Sequence, residues 1–223
     1  MFETFPDIAA LADAAADAVA RRLAAQVSEG GAILIATGGR SPGPVYDRLK
    51  SAPLDWSRVT VGLSDERWVP SDHADSNERL VRDRLLRGQA ASARFEPMFR
   101  PGVDLAEGAV QADLRMSALR PFDVVMLGMG EDGHVASLIP GDPDLASKLA
   151  PGTPRCVAPV PAGLGRPPLA RLTLTLAALA EAQAIFVLVS GPAKRAVIEE
   201  GAGLPVHRLL EQAKGRVRVL WAP

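Results

Sequence analysis

The sequence predicts an α/β protein with a mainly parallel β-sheet flanked by helices. Short apolar runs, typical of strands that are buried on both faces, alternate along the chain with helical patterns. Glycine-containing turns follow several of these runs, as they do where a parallel strand leads into a helix. At 223 residues the chain is long enough to bury a substantial core, and we treat residues 1–223 as one domain.

The composition excludes several classes of partner. The 25 basic and 26 acidic residues nearly cancel, which argues against bulk electrostatic binding to nucleic acid or to an anionic membrane. Cys156 is the only cysteine, so no disulfide framework is expected and a reducing compartment fits. We find no secretory signal at the start, and no apolar run approaches the roughly 20 residues of a membrane span. We therefore expect a cytoplasmic protein that binds a small molecule.

The first predicted elements are a helix and a strand. Apolar residues recur at three- and four-residue intervals over 8–27, which indicates an amphipathic helix. Asp7 can cap its start, and Gly30 and Gly31 end it. The apolar run Ala32–Ala36 follows as a buried strand.

A glycine turn connects this strand to the next helix. Gly38 and Gly39 form the turn, and we predict Ser41 as the N-cap and Pro42 as the first helical residue. Free N–H groups at such a turn and helix terminus favour an anion, although a tight connection without a ligand is an equally good interpretation.

The residues 39–43 also match G-x-S-x-G, the nucleophile elbow of serine hydrolases. That elbow draws an oxyanion-hole N–H from the residue after the serine, and Pro42 has none. Only one strand precedes Ser41, whereas the hydrolase fold needs an earlier strand loop to supply the second N–H. We therefore reject Ser41 as a nucleophile.

The next predicted strand, Val59–Leu63, runs into a charged segment that contains Asp65 and Arg67. Adjacent charged residues at the end of a strand usually form a solvated edge. Because this charged segment lies at the carboxyl end of a predicted parallel strand, a role in a ligand-binding site is at least as good an interpretation. An Asp-x-x-Glu capping pattern over 75–78 predicts a helix over 77–86.

The remaining elements continue the alternation of strands and helices. A proline- and glycine-rich segment, 151–168, is expected to lie on the surface and to form one wall of a site. The predicted elements are strands at 94–99, 156–160, 171–176, 184–189 and 216–221, and helices at 104–119 and 176–182.

The stretch 122–141 contains the strongest candidate site. It opens with an apolar strand and continues through Gly128, Gly130 and Gly133 to His134. Glycines at the carboxyl end of a parallel strand let the backbone approach a ligand closely. The letters also match the G-x-G-x-x-G of dinucleotide-binding proteins, but the prolines and glycine shortly afterwards would stop the long helix that this motif requires.

A second glycine turn opens the helix that contains Lys194. A lysine in a first helical turn opposes the helix dipole, which is easier to understand if an anion binds there, although the side chain could also point into water.

Together with Arg67 and His134, the two turns indicate acid–base chemistry on a phosphorylated small molecule. A histidine, whose ordinary pKa is about 6.5, suits a general base for an activated ester such as a lactone. The alternative is a loop histidine bonded to nearby backbone.

Five motifs taken in order resemble the 6-phosphogluconolactonases of the glucosamine-6-phosphate isomerase/6-phosphogluconolactonase superfamily. The deaminases of this superfamily carry a glutamate five residues after the histidine, where this chain has Ile139, and that difference favours the lactonases. Arg40 and Ser41 replace the Ser and Thr of many relatives, but both keep the turn. The motifs are TGGRSP at 37–42, SDERWVP at 64–70, DSN at 75–77, LGMGEDGHVASLIPG at 127–141 and RLTLT at 171–175.

The resemblance implies a modified doubly wound, Rossmann-like sheet, similar to that of the deaminase and ribose-5-phosphate isomerase group. It implies hydrolysis of 6-phosphogluconolactone to 6-phosphogluconate in the oxidative pentose phosphate pathway, without a metal or cofactor. His134 would activate water and Asp132 would orient His134. The residues implied to bind substrate are Gly38, Gly39, Arg40, Asp65, Arg67, Gly130, Arg171 and Lys194. We expect a monomer; the alternatives are deaminase activity or a non-catalytic sugar-phosphate sensor.

Overall fold

A computed structural model describes residues 2–223. Its strands account for most of the apolar runs in the sequence. They are β1 (Phe2–Thr4), β2 (Ala32–Ala36), β3 (Val59–Leu63), β4 (Asp65–Arg67), β5 (Arg94–Phe95), β6 (Val124–Gly128), β7 (Val157–Val160), β8 (Arg171–Leu174), β9 (Ala184–Ser190) and β10 (Val217–Ala222).

The helices occupy the connections between these strands. They are α1 (Ile8–Glu29), α2 (Gly43–Leu49), α3 (Asn77–Arg84), α4 (Leu105–Ser117), α5 (Leu145–Leu149), α6 (Leu176–Ala180), α7 (Pro192–Glu200) and α8 (Pro205–Ala213). No helix in residues 2–223 combines the length and apolar character that a membrane crossing requires.

The main sheet confirms the predicted fold class. Within the described chain, seven parallel strands lie in the order β1-β10-β9-β6-β2-β3-β5. The chain moves outward from β2 to β3 and β5, then returns to place β6 on the other side of β2. In open α/β sheets the crevice at such a reversal is where ligands bind. The turns that follow β2 and β6 contain two of the glycine segments noted in the sequence, Gly38–Gly39 and 128–133.

A small antiparallel sheet, in the order β4-β8-β7, stands beside the main one and was not predicted. Its register places Asp65 opposite Thr173 and Arg67 opposite Arg171. The segment after β3, which the sequence presented only as a charged strand end, therefore pairs with residues more than a hundred positions away. This pairing brings the two arginines together.

The predicted first helix is confirmed at both ends. The carboxylate of Asp7 accepts a hydrogen bond of 2.8 Å from the N–H of Ala10. Gly30 ends the helix with φ of 151°, a conformation that a residue with a side chain rarely adopts. Its inward stripe, which includes Leu11, Val19 and Leu23, is buried in the core.

Two predicted caps are wrong. Pro42, not Ser41, occupies the N-cap position of α2, because the carbonyl of Pro42 accepts the first helical hydrogen bond from Tyr46. Ser76, not Asp75, caps α3 by accepting from the N–H of Arg79.

Several predicted bounds also change. β5 covers Arg94–Phe95 instead of 94–99, and α3 ends at Arg84 instead of residue 86. The strand β1 and the helix α5 were not predicted; β1 is held at the sheet edge by pairing with β10, the last strand of the chain.

Candidate active site

A cleft of about 140 Å³ opens at the carboxyl ends of β2 and β6, where the order of the strands reverses. It receives residues from both glycine turns, from the small antiparallel sheet and from α7. Its lining residues are Thr37, Gly38, Gly39, Arg40, Ser41, Pro42, Asp65, Arg67, Asn77, Gly128, Met129, Gly130, His134, Ala136, Arg166, Arg171 and Lys194. Of the residues that the resemblance implies to be catalytic or substrate-binding, all except Asp132 are in this lining; Gly133, in the same predicted stretch as His134, is not.

Asp132 lies directly behind His134. The carboxylate oxygen Oδ1 of Asp132 is 2.5 Å from Nδ1 of His134, and the same oxygen accepts from the backbone N–H of His134 at 3.2 Å. The hydrogen bond from His134 holds the pKa of Asp132 below its usual range, against the opposing effect of burial. With Nδ1–H donating to Asp132, the lone pair of a neutral imidazole lies on Nε2.

Gly130 makes room for this histidine. A Cβ atom on Gly130 would lie 2.2 Å from both Cε1 and Nδ1 of His134 and 2.5 Å from Oδ1 of Asp132. The N–H of Gly130 also donates to the carbonyl of His134 at 2.9 Å, which closes the loop. The glycine is therefore required by the position of the imidazole ring, a steric reason independent of phosphate binding.

The rest of this loop is fixed by its neighbours. Gly133 has φ of 76°, and the N–H of Val206, at the start of α8, donates to its carbonyl at 3.0 Å. A Cβ on Gly133 would lie 2.7 Å from Cδ1 of Leu204. Ala136 has φ of 50°, which costs energy in a residue with a side chain and indicates a tightly constrained turn.

Two arginines form the opposite wall of the cleft. Arg67 and Arg171 face each other across the β4–β8 pair, an arrangement that is destabilising for like charges unless an anion lies nearby. Burial lowers the pKa of Arg171, and the charge of Arg67 lowers it further, while the carboxylate of Asp65 acts in the opposite direction. The Nε atoms of both arginines are buried and have no hydrogen-bond partner within residues 2–223. Unpaired buried donors of this kind are costly, and an oxyanion would satisfy them.

Asp65 is held by the hydroxyl groups of two buried serines, Ser64 and Ser137. Its Oδ2 accepts a hydrogen bond of 2.6 Å from Ser137, and its Oδ1 lies 2.9 Å from the hydroxyl of Ser64. Ser137 is fully buried and also accepts from Nη1 of Arg171 at 3.2 Å. The hydroxyl of Ser137 therefore links the two predicted binding residues Asp65 and Arg171.

Lys194 reaches the cleft from the first turn of α7. Its Nζ donates to the carbonyl of Met129 at 2.6 Å, which places the ammonium group beside the loop that holds His134. Burial lowers the pKa of Lys194, and the positive charge of Arg40 lowers it further. Gly191, at the N-cap of α7, has φ of 84°, in agreement with the predicted glycine turn.

Gly38 and Gly39 also have steric reasons to be glycines. A Cβ on Gly38 would lie 1.8 Å from Oδ1 of Asn77, and Gly39 has φ of 94°. Asn77 in turn donates from Nδ2 to the carbonyl of Asp65 at 2.8 Å. The first turn therefore packs against α3, a contact that local sequence patterns do not reveal.

Sequence reasoning assigned no site role to several lining residues, among them Asn77 and Arg166. Asn77 was part of a recognised motif but had no assigned role. Arg166 lies in the surface segment predicted to form one wall of the site, and its side chain makes no hydrogen bond or ion pair with any residue that the structure describes. Ile139 is buried and absent from the lining; Gly165 packs close to its Cδ1.

The donor set does not favour a metal. Residues 2–223 contain no group of three or more His, Cys, Asp or Glu side chains that could hold a metal ion. The cleft instead collects five cationic side chains, Arg40, Arg67, Arg166, Arg171 and Lys194, around one carboxylate, that of Asp65. An anionic small molecule is the ligand that this balance suits.

Residues 6–221 match the family model described as glucosamine-6-phosphate isomerases/6-phosphogluconolactonase. The chain is 46% identical to a 6-phosphogluconolactonase of Caulobacter vibrioides, over 99% of this chain and 96% of that protein. It is 42% identical to one of Pseudomonas aeruginosa, over 94% and 89%. The crystal structure of a 6-phosphogluconolactonase from Shewanella baltica superposes with a TM-score of 0.91 at 32% identity, covering 100% of this chain and 97% of that one.

Proposed function

Since the chain belongs to the glucosamine-6-phosphate isomerase/6-phosphogluconolactonase family, we propose that it hydrolyses 6-phosphogluconolactone to 6-phosphogluconate. The observation that carries this proposal is the His134–Asp132 pair, with Nδ1 and Oδ1 2.5 Å apart, beside a cleft whose lining contains five cationic side chains. A base and several cations around one cleft suit a substrate with an electrophilic carbonyl and a phosphate.

His134 acts as the general base. Asp132 holds the Nδ1–H, so Nε2 takes a proton from a water molecule as that water attacks the lactone carbonyl carbon. The tetrahedral intermediate then collapses, and the bond between the carbonyl carbon and the ring oxygen breaks. The imidazolium of His134 returns its proton to the departing ring oxygen, which becomes a hydroxyl group. Asp132 stabilises the imidazolium between these two steps.

The cations bind the phosphate and orient the sugar. Arg67, Lys194 and the Gly38–Gly39 turn hold the phosphate, and Arg171 assists from its place in the cleft lining. Arg40 adds positive charge at the exposed end of the same turn. The carboxylate of Asp65 accepts hydrogen bonds from sugar hydroxyls, and Gly130 admits the substrate beside His134.

Ile139 supports hydrolysis over deamination. Releasing ammonia from an amino sugar phosphate requires the ring to open and a proton to move between neighbouring carbons, so a second acid–base group must work beside the histidine. Ile139 cannot transfer protons, and its side chain is 2% exposed and packed away from the cleft. Lactone hydrolysis needs only an activated water and stabilisation of the oxyanion.

The wider assignment follows from the product and from the construction of the site. We propose that the enzyme acts in the oxidative pentose phosphate pathway, to which 6-phosphogluconate belongs, and in the cytoplasm. The single cysteine of the sequence, Cys156, is fully buried and fits a reducing environment. We also propose that the enzyme acts as a monomer and needs no cofactor, because the cleft lining already includes a base and the groups that would bind an anion.

Two assays run on the same preparation test the proposal. We expect 6-phosphogluconate to form from the lactone, measured through its dehydrogenase, and no ammonia to be released from glucosamine 6-phosphate, both with a chelator present. Ammonia release without lactone hydrolysis would overturn the assignment. Binding of 6-phosphogluconate with activity in neither assay would favour the non-catalytic sensor.

A further inference from the structure

We propose that Glu66 is a positioning residue that sets the geometry of the substrate-binding wall by anchoring the segment 75–78. This inference rests on the proposed function, because the wall is defined by the substrate it binds. Glu66 itself lies outside the cleft lining, between two residues, Asp65 and Arg67, that belong to it. Alternation along β4 directs the Glu66 side chain away from the cleft and towards the start of α3.

The carboxylate of Glu66 is fully buried and is bound by four donors. Its Oε1 accepts from the N–H groups of Arg67 and Asn77, both at 2.7 Å. Its Oε2 accepts from the N–H of Glu78 at 2.7 Å and from the hydroxyl of Ser76 at 3.0 Å. Burial raises the pKa of Glu66 to about 7, against the effect of these four hydrogen bonds.

These contacts occupy the N-terminus of α3. The first N–H groups of a helix are a natural anion site, and here an internal carboxylate already fills it. A substrate phosphate therefore cannot use this helix terminus and must be met on this wall by side chains. The side chains concerned are those of Arg67 and Asn77, whose orientation the anchored segment determines.

The anchored segment touches three parts of the cleft. The carbonyl of Asp75 accepts a hydrogen bond of 2.7 Å from Nη1 of Arg67. Asn77 donates to the carbonyl of Asp65 and packs against Gly38 at the first glycine turn. Removing the anchor would free Arg67, Asn77 and the turn together. The His134 loop would keep its geometry, because the hydrogen bonds to the Glu66 carboxylate within residues 2–223 come from Arg67, Ser76, Asn77 and Glu78.

The test replaces Glu66 with glutamine and measures steady-state kinetics. In Glu66→Gln an NH₂ group faces donors that now find no acceptor, so the segment 75–78 shifts. We expect KM for the phosphorylated lactone to rise about tenfold or more, the effect expected for a lost charge-assisted hydrogen bond. We expect kcat to change less than about threefold, because the lost interactions bind the substrate and the transition state equally well. Glu66→Asp, which keeps the charge, should recover part of the loss.

The matched control is Asp104→Ala. Asp104 caps α4 by accepting from the N–H of Glu107 at 2.9 Å and lies outside the cleft, so its loss should lower the melting temperature and leave KM unchanged. A melting temperature lowered in both variants, with KM unchanged in Glu66→Gln, would overturn the inference. If Glu66→Gln does not fold, Ser76→Ala removes one of the four donors and should raise KM in the same direction; an unchanged KM there would also overturn the inference.

A double-mutant cycle separates positioning from general damage. If Glu66 acts through Arg67, then Glu66→Gln should have little further effect on KM in an Arg67→Gln background. Full additivity would show that the two residues act independently and would overturn the inference. Lactone hydrolysis by the wild type is measured first, and its absence would count against the proposed function. Normal wild-type hydrolysis together with an unchanged KM in Glu66→Gln would count only against the role of Glu66.

Discussion

The two walls of the cleft are built in different ways. His134 is placed by a loop in which the deciding contacts, to Gly130 and Asp132, come from residues within four positions of it. Arg67 and Arg171 are placed by an antiparallel strand pair that joins distant parts of the chain. The first wall is half-exposed and depends on backbone geometry, whereas the second is largely buried and depends on a network of side-chain hydrogen bonds.

This difference separates chemistry from binding. A base needs access to water and a fixed tautomer, and a compact loop supplies both. Recognition of a phosphorylated sugar needs several cations held close together against their mutual repulsion, which requires burial and support from elements that the sheet brings together. Changes in the first wall should therefore act on kcat, and changes in the second wall should act on KM.

The largest expected effect tests the first wall directly. Replacing the base, His134→Ala, should lower kcat by about 10²–10⁴-fold and leave the melting temperature nearly unchanged, because the side chain is at the cleft surface. The measurement is lactone turnover after the slow spontaneous hydrolysis has been subtracted. Turnover close to that of the wild type would remove His134 from the mechanism.

A smaller effect on the same wall comes from displacing the base without removing it. In Gly130→Ala the new Cβ would lie 2.2 Å from the imidazole ring, so the ring must move. A displacement of about 1 Å can cost on the order of 10²-fold in rate, and we expect the loss in kcat with little change in KM. The matched control is Gly152→Ala, where a Cβ would meet no atom within 4 Å; kinetics altered equally in both variants would contradict this explanation.

Lys194 belongs to neither wall, because α7 carries it to the cleft beside the His134 loop. Since we propose that it binds the phosphate, Lys194→Ala should act mainly on KM. Removing a charged group that binds substrate and transition state alike leaves kcat nearly constant, and a lost charged hydrogen bond of about 1.5–3 kcal/mol raises KM by roughly 10–150-fold. Glucono-lactone without phosphate serves as the comparison substrate, since the change should not affect it. Equal damage to both substrates would make Lys194 a structural residue, consistent with its hydrogen bond to Met129.

The sequence was informative about the first wall and less informative about the second. The strand, the glycines and His134 are contiguous, so their arrangement could be predicted from local rules. Arg67 and Arg171 were each proposed as binding residues from a different sequence motif. That they lie opposite each other depends on the register of an antiparallel sheet that was not predicted. Glu66 and Ser137 are fully buried polar residues whose roles depend on distant partners. The two wrong caps have local causes. At α3 two neighbouring polar residues, Asp75 and Ser76, could each cap the helix, and Ser76 does so. At α2 the helix begins one residue later than expected, with Pro42 at the N-cap and no side-chain cap.

The smallest expected effect concerns Arg166, at the exposed edge of the cleft. Arg166 is exposed and unpaired among residues 2–223, unlike the buried Arg171, so solvent screens its charge and its contribution should be at most about 1 kcal/mol. Arg166→Gln should therefore lower kcat/KM by about two- to fivefold at low ionic strength. The loss should disappear in about 1 M salt, where the screening length falls to about 3 Å.

Arg22→Gln, an equal change of charge on the exposed face of α1, controls for net charge and should have no such effect. A large loss that persists in high salt would mean that Arg166 contacts the phosphate directly. The second wall would then extend into the surface segment 151–168, beyond the antiparallel sheet that holds Arg67 and Arg171.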